Sequence, residues 1–288
     1  MLPNQIDKPV AGAIAIQLGD QEFNFIRTVV EKNAGIILNA TKRQLVQGRL
    51  ARRIRELGLS NFTEYCEYVR NGGPEELVGL INAITTNVTS FFRESHHFEA
   101  LATVMMPEAM GRNERNHRLR IWSAGCSSGE EPYSIAMTAA EALAGARGWD
   151  LKILATDIDS EILATAARGE YSTERMQGIS PERRQRWFVA GVGDHAGTVR
   201  IKSELQSLIT FRTLNLMGEW PMHGPFDVIF CRNVMIYFDQ PTRERLLARY
   251  AQLLVDGGYL CLGHSESIHM QHAQFKLVGR TIYKKTKG

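Results

Sequence analysis

The sequence predicts an α/β protein whose mostly parallel sheet closes with an antiparallel hairpin, preceded by a small all-helical domain and interrupted by a small antiparallel β insertion. Three observations carry this reading. Residues 119–134 run as a short apolar strand, a turn of small residues and a helix start. Strand and helix patterns then alternate, as right-handed crossover units do. At the end of the chain, 275–278 and 281–284 are extended pieces around Gly279-Arg280, which fits a two-residue hairpin. The expected division is a mobile tail at 1–19, a helical domain at 20–90 and an α/β domain at 91–288 with its insertion at about 171–208.

The helical part comes first. Asp20 or a neighbour caps a helix carrying Phe23, Ile26, Val29 and Val30, and Asn33-Ala34-Gly35 ends it. Thr41 is the expected cap of a second helix, 42–57. There Val46, Leu50, Ile54 and Leu57 share one face. That helix is basic through Lys42, Arg43, Arg49, Arg52, Arg53 and Arg55, with no acid before Glu56. Two meanings stay open, a solvated face and a surface that docks on acidic partners. Helices at 62–70 and 75–85 follow, separated by Asn71-Gly72-Gly73-Pro74. The polar stretch 84–94 marks the seam between domains, a favoured place for ligand sites. Its Phe91 and Phe92 read as packing residues.

The turn after the first strand suits close approach by a ligand. Gly125 and Gly129 remove bulk, and Pro132 fits a first helical turn because its missing N–H would be unpaired there anyway. Glu130 and Glu131 make this helix start a poor phosphate cradle. They suit a cation or hydroxyl groups, hence a nucleotide-like ligand without a pyrophosphate. The second strand, 151–157, ends in acid. Asp157 is the candidate for holding ribose hydroxyls; Asp159 could instead cap the helix 160–168. Residues 191–202 read as two extended pieces around glycine turns, either a decorative hairpin or an open edge that accepts a peptide, with Arg200 available for an acidic group. Strands at 208–216, 226–231 and 259–263 resume the alternation. A helix from Pro241 to about Val255 is expected to end at Asp256-Gly257-Gly258.

Composition sets limits. The chain's 288 residues allow two modest domains, and no apolar run reaches the length of a membrane span. A net charge of +3 is too small by itself to argue for nucleic acid. Cys66, Cys126, Cys231 and Cys261 are widely spaced with no C-x-x-C pair, which fits reduced thiols in a cytoplasmic protein. Residues 1–20 lack the basic segment of a secretory signal.

WSAGCSSGEEPYSIAM, TDID, FCRNVMIYFD, GHSES and TTNVTSFFRE together closely resemble the chemotaxis receptor methyltransferases of the CheR type, from about residue 20 onward. The resemblance implies a Rossmann-like S-adenosylmethionine-dependent methyltransferase with a seven-stranded sheet. It also implies a cytoplasmic enzyme recruited to membrane receptors without inserting into the bilayer. The implied reaction moves a methyl group from S-adenosylmethionine to a receptor glutamate, giving the glutamate 5-O-methyl ester and S-adenosylhomocysteine. Carried over by position, the cofactor would touch Asn87, Thr89, Arg93, Gly125, Glu131, Asp157, Asn215, Leu216, Arg232 and Asn233, with Arg93 and Tyr237 beside the transferred methyl. No metal is expected.

For the partner, the resemblance sets the basic helix, through Arg49, Arg52, Arg53 and Arg55, against the acidic methylation helices of the receptor's cytoplasmic domain. Gly191, Gly193, Gly197 and Arg200 match members that grip the receptor's C-terminal pentapeptide, whereas Ala190 stands where an arginine is usual. Three other readings fit less well. A non-catalytic binding module would not need Arg93, Tyr237 and an intact glycine turn. A nucleic-acid methyltransferase would show a base-stacking series. A nicotinamide dehydrogenase would carry G-x-G-x-x-G.

Overall fold

The computed structural model describes residues 16–268 and 273–286. Most of the expected tail lies outside the described residues. Leu18, within the range 1–19, is buried, and its N–H donates to Gln47 Oε1 at 3.3 Å. The chain divides into two compact units. The smaller takes the described residues to Val29 and Leu38–Ile84, and the larger takes Val30–Ile37 and Thr85 onward. The end of the first helix therefore counts with the α/β unit.

The smaller unit contains the helices Arg43–Glu56, Phe62–Asn71 and Gly73–Ile84 and the start of Asp20–Ala34. Its core is built from Phe23, Ile26, Val46, Leu50, Ile54, Phe62, Tyr65 and Leu80, all fully or nearly fully buried. The expected Thr41 cap is not formed. Thr41 sits inside a 3-10 turn, Ala40–Lys42, and its hydroxyl donates to Asn39 Oδ1 at 2.6 Å.

Arg53 is turned inward. Its Nη2 lies 2.7 Å from Glu76 Oε2, and Tyr65 donates to Glu76 Oε1 at 2.9 Å. Glu76 is 3% exposed. A Cβ at Gly79 would overlap the guanidinium, so the glycine makes room for this pair. Arg53→Ala is expected to destabilise the smaller unit by roughly 3 kcal/mol, because it leaves a buried carboxylate unpaired. Urea unfolding followed by circular dichroism checks it, and an unchanged midpoint would count against the pair.

In the larger unit the strands are β1 Arg118–Ala124, β2 Asp150–Asp157, β3 Glu170–Ser172, β4 Phe188–Ala190, β5 Thr198–Ile201, β6 Ile209–Thr213, β7 Phe226–Cys231, β8 Leu254–Leu262, β9 Phe275–Gly279 and β10 Ile282–Lys285. Seven form one sheet in the order β6-β2-β1-β7-β8-β10-β9, parallel from β6 to β8, with β10 antiparallel to both β8 and β9. β1 lies near the middle and is buried on both faces. Leu119 and Ile121 enter one apolar cluster, Trp122 and Ala124 the other, so apolar residues face both sides of the strand, interspersed with the polar Arg120 and Ser123. β3, β5 and β4 form a separate antiparallel sheet.

Three expectations need correction. The insertion has three strands, and Gly193–His195 is a 3-10 turn between two of them. Strands of three or four residues carry too little alternation to be read from sequence. Asp256-Gly257-Gly258 does not stop a helix. The helix Gln240–Leu253 ends earlier, and the glycines lie within β8, where its register with β7 shifts. Gly257 has φ +72°, and a Cβ on Gly258 would crowd the Val255 and Asp227 carbonyls, so this is a bulge. In the final hairpin Gly279 pairs with Ile282, so the turn is Arg280-Thr281.

Candidate active site

The turn after β1 is tied to the end of β2. The N–H groups of Gly125 and Cys126 both donate to the Thr156 carbonyl, at 2.8 and 2.9 Å. Gly125 has φ +93°, and a Cβ there would overlap Val234. Gly129 has φ +97° and opens the helix Glu130–Ala142; a Cβ there would press on Tyr171 Oη at 2.8 Å and Ala166 Cβ at 2.9 Å. Both positions require glycine.

Asp157 stands where β2 ends. Its Oδ2 accepts from Ser127 N at 2.7 Å and its Oδ1 from Asp159 N at 3.0 Å. Burial raises its pKa, against the pull of those N–H groups. Each oxygen keeps a further lone pair for a hydroxyl. Asp159 is the cap of the next helix, accepting from Glu161 N and Ile162 N. Its other oxygen takes Thr85 Oγ1 at 2.8 Å and Asn87 Nδ2 at 2.7 Å. The Asn87 carbonyl accepts from Ser127 Oγ at 3.1 Å. The segment that begins at Thr85 is thereby fastened to the turn.

The adjacent glutamates face different partners. Glu130 turns to the insertion, with Arg175 Nη1 at 2.5 Å from its Oε1 and Ser128 Oγ at 2.6 Å from its Oε2. Tyr171 on β3 donates to the Ser128 carbonyl at 2.8 Å. The insertion therefore braces the turn, a role that the sequence reading missed. Glu131 turns to β7: its Oε1 accepts from Ser123 Oγ at 2.7 Å and its Oε2 from Arg232 Nη1 at 3.0 Å. Burial raises the Glu131 pKa, and the Arg232 charge opposes it.

Arg232, at 5% exposure, joins three elements. Besides Glu131 it donates to the Arg93 carbonyl and lies 3.5 Å from Glu94 Oε2. Burial alone would push the Glu94 carboxyl up, but the His264 hydrogen bond and the Arg232 charge hold it at about 2. Next along the chain, Asn233 has φ +59°, and its N–H donates to the buried Glu266 Oε2 at 2.8 Å. Glu266 also takes Gly263 N and Ile236 N, which fixes the 3-10 turn Met235–Tyr237. Glu94 and Glu266 lie in the quoted motifs but carry no periodic signal that would have singled them out.

Asn215 donates to the Asn33 carbonyl at 2.5 Å, and the Tyr237 carbonyl accepts from Ile37 N at 3.0 Å. Residues 30–37, assigned from sequence to the helical domain, thus hold two candidate site residues. Leu216 is 8% exposed, with its carbonyl on Arg249. Thr89 and Arg93 are half-buried, and the Arg93 guanidinium donates to the Val88 carbonyl at 2.9 Å.

The residues expected to meet a partner fare unequally. Arg49 donates to the Ile84 carbonyl and Arg53 is held by Glu76, so both guanidinium groups are engaged within their own unit. That corrects their assignment to a docking face. Arg52 is exposed and pairs with Glu56 at 2.8 Å; Arg55 is exposed. On the insertion a groove of about 810 Å³ is lined by Glu170, Val189, Ala190, Gly191, Val192 and Arg200, among others. Gly191 is obligatory, since a Cβ would overlap the His195 carbonyl. Gly193 and Gly197 have φ +59° and +84°. Arg200 is 63% exposed and only 3.9 Å from Glu170.

The paired carboxylates, the bare turn and the absence of a phosphate cradle at this helix start fit a cationic, hydroxylated ligand such as S-adenosylmethionine. All four cysteines are free and buried. No helix among the described residues is long and apolar enough to cross a membrane.

Residues 87–284 match the family pattern described as "CheR methyltransferase, SAM binding domain", and residues 21–85 match "CheR methyltransferase, all-alpha domain". The chain is 45% identical over 261 residues to a probable chemotaxis protein methyltransferase of Rhizobium etli, covering 90% of this chain and 97% of that one. It is 44% identical over 271 residues to the chemotaxis protein methyltransferase of Escherichia coli, with 93% and 92% covered. It is 43% identical over 285 residues to chemotaxis protein methyltransferase 2 of Pseudomonas aeruginosa, with 98% and 99% covered.

Proposed function

The chain belongs to the CheR methyltransferase family, and on that premise we propose that it methylates the side-chain carboxylates of glutamates in chemoreceptors. The product is a glutamate 5-O-methyl ester, and the output is receptor adaptation. The observation that carries this reading is the bridge from Glu131 through Arg232 to the Arg93 carbonyl. It sets the Arg93 segment beside the glycine turn.

Bound S-adenosylmethionine supplies an electrophilic methyl on a positive sulfur. A receptor glutamate is already ionised at neutral pH, so the protein needs no base to prepare it. What remains for the chain is to hold, orient and drain. Asp157 and Glu131 accept hydroxyl and ammonium hydrogens. Asn87, Thr89, Asn215, Leu216 and Asn233 are the further residues of the proposed cofactor site. Arg93 and Tyr237 position the incoming carboxylate. A tight ion pair to that carboxylate would stabilise the ground state and slow the reaction. The existing bond from Arg93 to the Val88 carbonyl tempers its pull. Alignment in such sites is worth up to roughly 7–11 kcal/mol.

Labelled methyl transfer to receptor membranes, with methanol release in alkali, tests the reaction. Arg93→Ala and Tyr237→Phe are expected to slow single turnover at saturating cofactor by about 10–100-fold. If both variants kept the wild-type rate, the positioning role would be excluded. The enzyme works in the cytoplasm and is drawn to its membrane receptors through Arg52 and Arg55 and through the insertion groove. A receptor-tail peptide ending in an aromatic residue and a carboxylate is expected to saturate the groove. Ala190, where the resemblance implies an arginine, supplies no charge contact, so the affinity is expected to be lower than with an arginine there. Absence of saturable binding at high micromolar peptide would remove the tether and leave the reaction standing.

A further inference from the structure

Glu94, His96 and His97 follow Arg93 directly. One ligand atom from each lies within 4.8 Å of the others. His96 Nε2 is 3.1 Å from the Arg280 carbonyl, which can only accept, so Nε2 carries the proton and Nδ1 a lone pair. His97 Nε2 is 3.1 Å from Thr281 Oγ1, whose own proton goes to the Arg280 carbonyl at 2.8 Å. With the hydroxyl proton so directed, His97 Nε2 donates too, and in that tautomer its Nδ1 is a second lone pair. That Nδ1 is 3.6 Å from Glu94 Oε2. Both atoms are buried and neither has a hydrogen-bond partner. Two acceptors facing one another in a buried place call for a cation. Arg232 lies 3.5 Å from the same carboxylate oxygen, an ion pair without a hydrogen bond.

We propose that Glu94, His96 and His97 form a site for a divalent transition-metal ion of the zinc type, and that the ion competes with Arg232 for the Glu94 carboxylate. Two imidazole nitrogens and one carboxylate oxygen suit zinc or cobalt, with a position left for water. They do not suit magnesium or calcium, which take oxygen donors. The outward N–H groups of both rings already rest on a carbonyl and a hydroxyl, the support that metal-bound histidines require. His96 is half-buried and gives the ion a way in. An ion here draws Glu94 away from Arg232, which also holds the Arg93 carbonyl and Glu131. Occupancy therefore inhibits methyl transfer.

The test uses the full-length protein stripped with chelator. Titration with Co²⁺, read by visible absorption and equilibrium dialysis, should show one ion per chain with the strong bands of a low-coordinate site. Mg²⁺ should show none. His96→Gln is expected to weaken Co²⁺ binding by about tenfold or more, while the exposed His223→Gln leaves it unchanged. Zn²⁺ should inhibit the wild type and spare His96→Gln. No uptake by the wild type, or equal uptake by His96→Gln, overturns the site, and the two buried atoms then share a proton. A zinc-loaded wild type with full activity overturns the competition with Arg232. The binding arm is independent of the methyl-transfer reading, and only the inhibition arm rests on it.

Discussion

Arg232→Met is expected to lower the unfolding free energy by roughly 3–5 kcal/mol and to abolish methyl transfer. The guanidinium is buried and serves Glu131, Glu94 and the Arg93 carbonyl together. Without it, two carboxylates lose their countercharge and the Arg93 segment loses its tie. Arg232→Lys should recover only part, because one ammonium cannot reach three acceptors in a plane. The acid dependence gives a second check. In the wild type the Glu94 carboxyl sits at about 2, below its ordinary range. Its contribution is present above that ordinary range and is lost as pH falls toward about 2. The stability gap between wild type and Arg232→Met should therefore narrow on acidification. Urea unfolding across acid and neutral pH measures it, and a pH-independent gap would mean that Glu94 is not part of the effect.

Asp157→Asn is expected to weaken S-adenosylhomocysteine binding by about 10–100-fold, as loss of hydrogen bonds to a charged acceptor of roughly 1.5–3 kcal/mol would do. Its pH signature has a definite sign. Burial raises the Asp157 pKa in the free protein, so the folded chain holds a proton that the unfolded chain has released. Over that window the free protein loses stability as pH rises. A ligand that donates hydroxyl hydrogens to Asp157 favours the ionised form and expels the proton. Binding therefore tightens as pH rises through the raised pKa and then levels off. The ligand-induced rise in melting temperature should follow the same course in the wild type and flatten in Asp157→Asn. A wild-type profile that fell with pH over this range would exclude Asp157 as the acceptor.

Much of this was legible in the residues. The strand, glycine turn and helix at 119–134, the acid at the end of β2 and the closing hairpin each follow from local rules. Gly125 and Gly129 occupy backbone conformations that nearly every other residue would strain. A parallel strand covered on both faces draws apolar residues onto each, and in β1 Leu119 and Ile121 meet one cluster while Trp122 and Ala124 meet the other. The motifs also carried the family and most of the candidate site.

Side-chain partners, in contrast, were decided by tertiary structure. Glu130 and Glu131 are neighbours in sequence, but successive helical residues point about 100° apart. Which one meets Arg175 and which meets Arg232 depends on segments 45 and 101 residues away. Arg53 looked like one more surface charge until Glu76, on another helix, proved to be buried beneath it. Asp256-Gly257-Gly258 has the composition of a helix stop, and only pairing with β7 makes it a bulge. Val30 to Ala34 finish a helix that begins in the smaller unit, yet the Asn33 carbonyl accepts from Asn215 and Ile37 N donates to the Tyr237 carbonyl, and residues 30–37 belong to the larger one. The physical reason is the same throughout. Propensity, glycine geometry and hydrophobic period act over a few residues and are written in the chain, whereas a buried charge or an unpaired N–H takes whichever partner the fold brings within about 3 Å.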